Sequence, residues 1–121
     1  MTIQELYQSM EGDYAAALKT MMNESIIGRL MPRYLNDPSC QKMLDAGAAM
    51  DAKGLFEGAH ALKGVAGNLG MLKLSRMASE LCEEFRPGKE RQLSDAEVQA
   101  KLADIGALQE KTLAAIRAFV G

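Results

Sequence analysis

The stretch SDAEVQAKLADIGALQEKTLAAIRAFV, Ser94 to Val120, decides the fold class. Ser94 followed by Glu97 is the pairing of a capping box, in which hydroxyl and carboxylate each satisfy a backbone N–H at a helix start. Beyond it Val98, Leu102, Ile105, Leu108, Leu113, Ile116 and Phe119 form one stripe, so the segment reads as a long amphipathic helix with a face to bury. Working outward, Leu74, Met77, Ala78, Leu81 and Phe85 mark a helix that stops at Pro87-Gly88. Before it, Asp51 caps a helix carrying Leu55, Ala59, Leu62, Ala66 and Leu69, which Gly70 ends. In Asn36-Asp37-Pro38, Asp37 is placed as an N-cap and Pro38 at the first helical position of a helix running to about Met50. Ile26, Ile27, Leu30, Tyr34 and Leu35 mark another segment, which Pro32 must kink or divide. Ile3, Leu6, Tyr7 and Met10 repeat at helical spacing up to Gly12, and Asp13 then caps a short helix from Tyr14 to about Met21. Strand formers are scarce, while Ala, Leu, Met, Glu and Lys dominate. The expectation is an all-α protein: an antiparallel four-helix bundle with additional short N-terminal helices. It is one domain over 1–121, with a helical extension over 1–22 and the bundle over 23–121.

Composition removes several classes of function. The chain has 121 residues, 48% hydrophobic and 25% charged, with a formal net charge of −2. Nucleic-acid binding, which needs a clustered positive excess, is not expected. No apolar run approaches the roughly 20 residues of a membrane span. The start, Met1-Thr2-Ile3-Gln4-Glu5, lacks the basic end and apolar stretch of a signal peptide, which points to the cytoplasm. Cys40 and Cys82 form no CxxC pair, and with a single histidine no zinc site is expected. No GxxxxGK[ST] or Gly-rich kinase loop is present, so the chain has no ATP site of its own.

The single histidine stands away from the core. At about 100° per residue, Leu55, Ala59, Leu62, Ala66 and Leu69 fall within roughly 40° of one direction, and His60 points about 140° away from it. Gly64 lies one turn on and Gly67 two, with Phe56 one turn before. Lys53 and, if the helix continues, Met71 extend the same side. Lys63, three residues on, can bring its ammonium to the imidazole edge. Glycine inside a helix costs roughly 1 kcal/mol against alanine, yet Gly58, Gly64 and Gly67 share this helix. Close helix packing accounts for Gly58 on the core side. Gly64 and Gly67, on the outer side, leave the histidine on a bare shelf that a large partner could approach. Phe56 and Met71 would give that partner apolar contact. Taken singly, each feature fits an ordinary solvated surface; the argument rests on their coincidence.

The segment Ala59-His60-Ala61-Leu62-Lys63-Gly64 followed by Asn68-Leu69-Gly70 resembles the signature of the histidine-containing phosphotransfer (HPt) domain, AHxLKG and then NLG. Met50-Asp51 with Leu55 and Phe56 resembles the family's turn into its active helix, and Leu74 through Phe85 the helix that pairs with it. The stretch from Glu5 to Tyr14 is similar to an extension of some stand-alone bacterial members. The resemblance implies a phosphoryl carrier in a two-component phosphorelay. His60 would accept a phosphoryl group from the aspartyl phosphate of a response-regulator receiver domain. Lys63 would offset its charge, and Gly64 would let the receiver close over the ring. Lys53, Phe56, Gly67 and Met71 are the candidate docking residues. Where many members hold the second ring nitrogen with Gln or Glu, this chain has Cys82, which leaves Ser79, Glu83 or water for that role.

Imidazole is a good nucleophile when neutral, and phosphoryl transfer needs positioning and charge neutralisation more than covalent apparatus. A carrier of this kind is not an enzyme and needs no cofactor, since Mg2+ belongs to the receiver. Its partners would be a receiver domain and a hybrid histidine kinase, with the chain itself a monomer. A helical adaptor in which His60 is never phosphorylated is the alternative. A hydrolase using His60 as base lacks support, because no Ser, Cys or carboxylate is spaced to complete a triad.

Overall fold

The computed structural model describes residues 1–121 and contains seven α-helices and one 3-10 helix. The N-terminal helices are α1 (Ile3–Ser9), α2 (Tyr14–Met21) and α3 (Glu24–Leu30), after which the 3-10 helix occupies Met31–Asn36. The remaining four are α4 (Ser39–Ala48), α5 (Ala52–Asn68), α6 (Leu72–Glu84) and α7 (Asp95–Val120). α4 packs on α5, α5 on α6, α6 on α7 and α7 back on α4, which closes the four-helix bundle. α1 and the 3-10 helix pack against α7, and buried side chains from all parts of the chain form one hydrophobic cluster.

The caps work as their residue types require. Ser94 Oγ accepts from Glu97 N–H at 3.1 Å, and Glu97 Oε1 accepts from Ser94 N–H at 3.0 Å. Asp13 caps α2 and Asp51 caps α5 through their carboxylates. Pro32 divides the third segment as its ring demands: the α-helix stops at Leu30 and tightens into the 3-10 helix. One start moves. α4 begins at Ser39 with Pro38 in the capping position, and the Asp37 carboxylate accepts from Ser39 N–H at 2.9 Å. A side-chain turn thus stands where an ordinary N-cap was expected.

The α5–α6 turn corrects a second expectation. Met71 N–H bonds to Ala66 O and Gly70 N–H to Gly67 O, with Gly70 at φ +75. This is a Schellman turn, in which the residue after the left-handed glycine folds back onto the end of the helix. Met71 is therefore 1% exposed and belongs to the core; it cannot be a docking residue. The N-terminal segment locks the same turn from outside. Tyr7 Oη donates to Leu69 O at 2.6 Å, Asp13 N–H donates to Gly70 O at 2.8 Å, and Glu11 pairs with Lys73 and Lys111.

α4 and α5 approach closely at Gly58, where an added Cβ would lie 2.8 Å from the Met43 Cα. A backbone atom inside a helix cannot step aside. Gly58→Ala is therefore expected to destabilise the protein by about 1–2 kcal/mol, overpacking outweighing the gain in helix propensity. Urea unfolding of the variant checks this, and a rise in stability would show that the two helices can separate freely.

Candidate functional site

α5 runs through the bundle with Leu55, Ala59, Leu62 and Ala66 buried and His60 exposed. The same geometry that seals the core side turns the only histidine of the chain to solvent. Gly64, one turn on, is exposed, and a Cβ built there meets nothing within 4 Å. No packing constraint asks for glycine at this position. Lys63 is half-buried. Its charge favours the ionised forms of Cys82 and Glu83 on the neighbouring α6.

Gly67 differs from the expectation of an open shelf. α6 approaches it: a Cβ would lie 3.3 Å from Ser75 Oγ, and that hydroxyl donates to Lys63 O at 2.9 Å. Gly67 is small because two helices meet there, and the open ground beside His60 reduces to Gly64. Lys53 is exposed, with its ammonium 4.0 Å from Glu57 Oε1. A solvated pair of this sort contributes little to stability.

Phe56 is half-buried between two neighbours. Its ring centroid lies 6.0 Å from that of His60, with the planes inclined at 40°. The Arg86 guanidinium lies 5.6 Å from the Phe56 centroid on the cation–π pattern. Arg86 is held by Glu83 in a two-point pair, Nε to Oε2 at 3.1 Å and Nη2 to Oε1 at 2.5 Å. That pairing holds the Glu83 carboxyl below its usual range, and Lys63 and Lys89 add to the pull. Arg86 is the residue of this cluster that sequence reasoning missed. It stands thirty positions from Phe56, just past the end of α6, where no periodicity marks it.

Cys82 is fully buried, and burial pushes its thiol up against the pull of Lys63 and Arg86. It is a small apolar filler under the site. Glu83, a candidate for holding the second ring nitrogen, is engaged by Arg86 instead. The site thus offers an exposed imidazole with an aromatic neighbour, a lysine one turn on, a second cation paired with a carboxylate, and bare backbone at Gly64. It can receive a group delivered from outside. No cluster of three or more His, Cys, Asp or Glu side chains could hold a metal ion, and no helix is long and apolar enough to cross a membrane.

The family model for the Hpt domain matches residues 3–119 of the chain. No curated protein and no solved structure matches it.

Proposed function

The chain belongs to the Hpt domain family, the phosphotransfer carriers that work with receiver and kinase domains in phosphorelays, and on that premise we propose that His60 exchanges a phosphoryl group with the aspartate of a response-regulator receiver. The observation that carries the proposal is the placement of His60. It is the only histidine, it is exposed on the outer face of α5, and it is flanked by Lys63 and by open backbone at Gly64. In the transfer, the unprotonated ring nitrogen attacks the phosphorus of the aspartyl phosphate. The P–N bond forms as the acyl P–O bond breaks, and the receiver's carboxylate leaves with the electron pair. The proton on the far ring nitrogen stays there or passes to solvent. Lys63 offsets the charge on the phosphoryl oxygens. Lys53 and the Gly64 shelf face the receiver. The proposal assigns no metal or cofactor to this chain, since Mg2+ belongs with the receiver's aspartate. It treats the chain as a cytoplasmic monomer, with no role for nucleic acid or membrane.

Incubation with a receiver domain phosphorylated on its aspartate tests this. Label is expected to move onto the chain in an acid-labile, base-stable form. Free phosphate alone would indicate a hydrolase, and no transfer with competent receivers would leave a helical adaptor. Lys63→Ala is expected to slow transfer about tenfold, equivalent to about 1.4 kcal/mol, because a single solvated charge contact is modest. Unchanged single-turnover kinetics would reduce Lys63 to a surface charge.

A further inference from the structure

The chain lacks the side-chain acceptor that would orient a catalytic imidazole. Cys82 is buried, Glu83 is engaged by Arg86, and Ser79, half-buried on α6, makes no hydrogen bond to the ring. A surface imidazole without a partner turns freely about its two side-chain bonds, whereas in-line attack on phosphorus requires one aim. The structure supplies a different brace. The rings of His60 and Phe56 lie in the distance range of an aromatic pair and are tilted. The guanidinium of Arg86 lies against the Phe56 ring, and Glu83 fixes that guanidinium at two points. The chain of contacts therefore runs from a two-point ion pair between Glu83 at the end of α6 and Arg86 just beyond it, through an aromatic ring on α5, to the imidazole one turn further along.

We propose that Phe56 and Arg86 are positioning residues for His60, their stack aiming the imidazole in place of a hydrogen-bonded acceptor. The proposal rests on His60 being the phosphoryl acceptor. It makes Phe56 more than a patch of apolar surface for the receiver, and the two roles separate kinetically. A docking contact governs how tightly the receiver binds. A positioning contact governs how fast the bound complex transfers. The ring current of Phe56 also perturbs the shifts of the imidazole protons, which gives a readout in the resting chain that needs no partner.

The experiment uses the full chain as wild type, Phe56→Leu, Phe56→Tyr and Arg86→Met. Single-turnover transfer from a phosphorylated receiver is followed across receiver concentrations, and proton NMR records the His60 ring signals without receiver. Phe56→Leu is expected to lower the limiting rate about three- to tenfold, the scale of one aromatic contact, with Kd for the receiver within about twofold of wild type. Its imidazole signals are expected to shift. Phe56→Tyr, which keeps the ring, is expected to restore both the rate and the signals. Arg86→Met, at an exposed position where folding is not at risk, is expected to lower the limiting rate in the same direction. A Phe56→Leu limiting rate equal to wild type, a loss carried by Kd alone, or unmoved imidazole signals would overturn the proposal. A wild-type chain that takes no label would instead overturn the carrier assignment, while the NMR comparison would still report on the stack.

Discussion

A His60→Gln chain is expected to take no phosphoryl group from a phosphorylated receiver and to melt where the wild type melts. The first half follows from chemistry. Glutamine offers an amide of similar reach but no nucleophilic nitrogen, and the chain holds no second histidine to substitute. The second half follows from position. His60 is exposed, so its replacement opens no cavity and strands no buried partner. The one contact at stake is the ring pair with Phe56, and glutamine is an adequate helix former. Loss of label without loss of fold is thus expected, with the thermal midpoint and the acid-labile label measured on the same preparation. Label persisting on the variant would place the phosphoryl group elsewhere and refute the site.

The fold was legible in the sequence wherever information is local. Capping residues, Pro32, Gly70 and the periodicity of α5, α6 and α7 act through neighbours within a turn or two, and the helices they predict are present. Where the sequence misled, the deciding contact comes from another element. Along α7 the apolar stripe passes through Leu113, but the buried positions include Gln109 and Thr112. Gln109 is buried because it accepts from the Tyr34 hydroxyl at 2.5 Å, a partner 75 positions away. Gly67 lies on the outer side of its own helix, and only Ser75, arriving on α6, closes the space beside it. Met71 would share the His60 face only if the helix continued, and it ends instead in a Schellman turn. At the candidate site, His60, Lys63 and Gly64 share one helical face and could be found by spacing alone. Arg86 and its brace on Phe56 could not, because the link crosses from α5 to the turn that follows α6.

The glycine at position 64 sets stability against function within one helix, and Gly64→Gln is expected to separate them. Helix propensity favours the replacement, since glycine in a helix interior costs roughly 1 kcal/mol against alanine and glutamine ranks near the good formers. Space permits it: a Cβ at Gly64 meets nothing within 4 Å, in contrast to Gly58, where it would strike the Met43 backbone. The variant is therefore expected to be more stable by roughly 0.5–1 kcal/mol, raising the thermal midpoint by about 2–6 °C. Alanine at the same position should behave likewise. Transfer should respond in the opposite sense. The glutamine side chain would project from the face that carries His60, one turn away, over ground the receiver must cover to bring its phosphorus to the imidazole. Displacing reacting groups by about 1 Å can cost on the order of a hundredfold in rate, and a side chain of that length displaces the receiver by more. Gly64→Gln is thus expected to melt higher and to transfer about a hundredfold more slowly or worse, with Gly64→Ala less affected because a methyl group adds little height. If glycine stands there by chance, both variants would gain stability and transfer at the wild-type rate, so normal transfer by Gly64→Gln would show that the bare backbone beside His60 is not where the receiver docks.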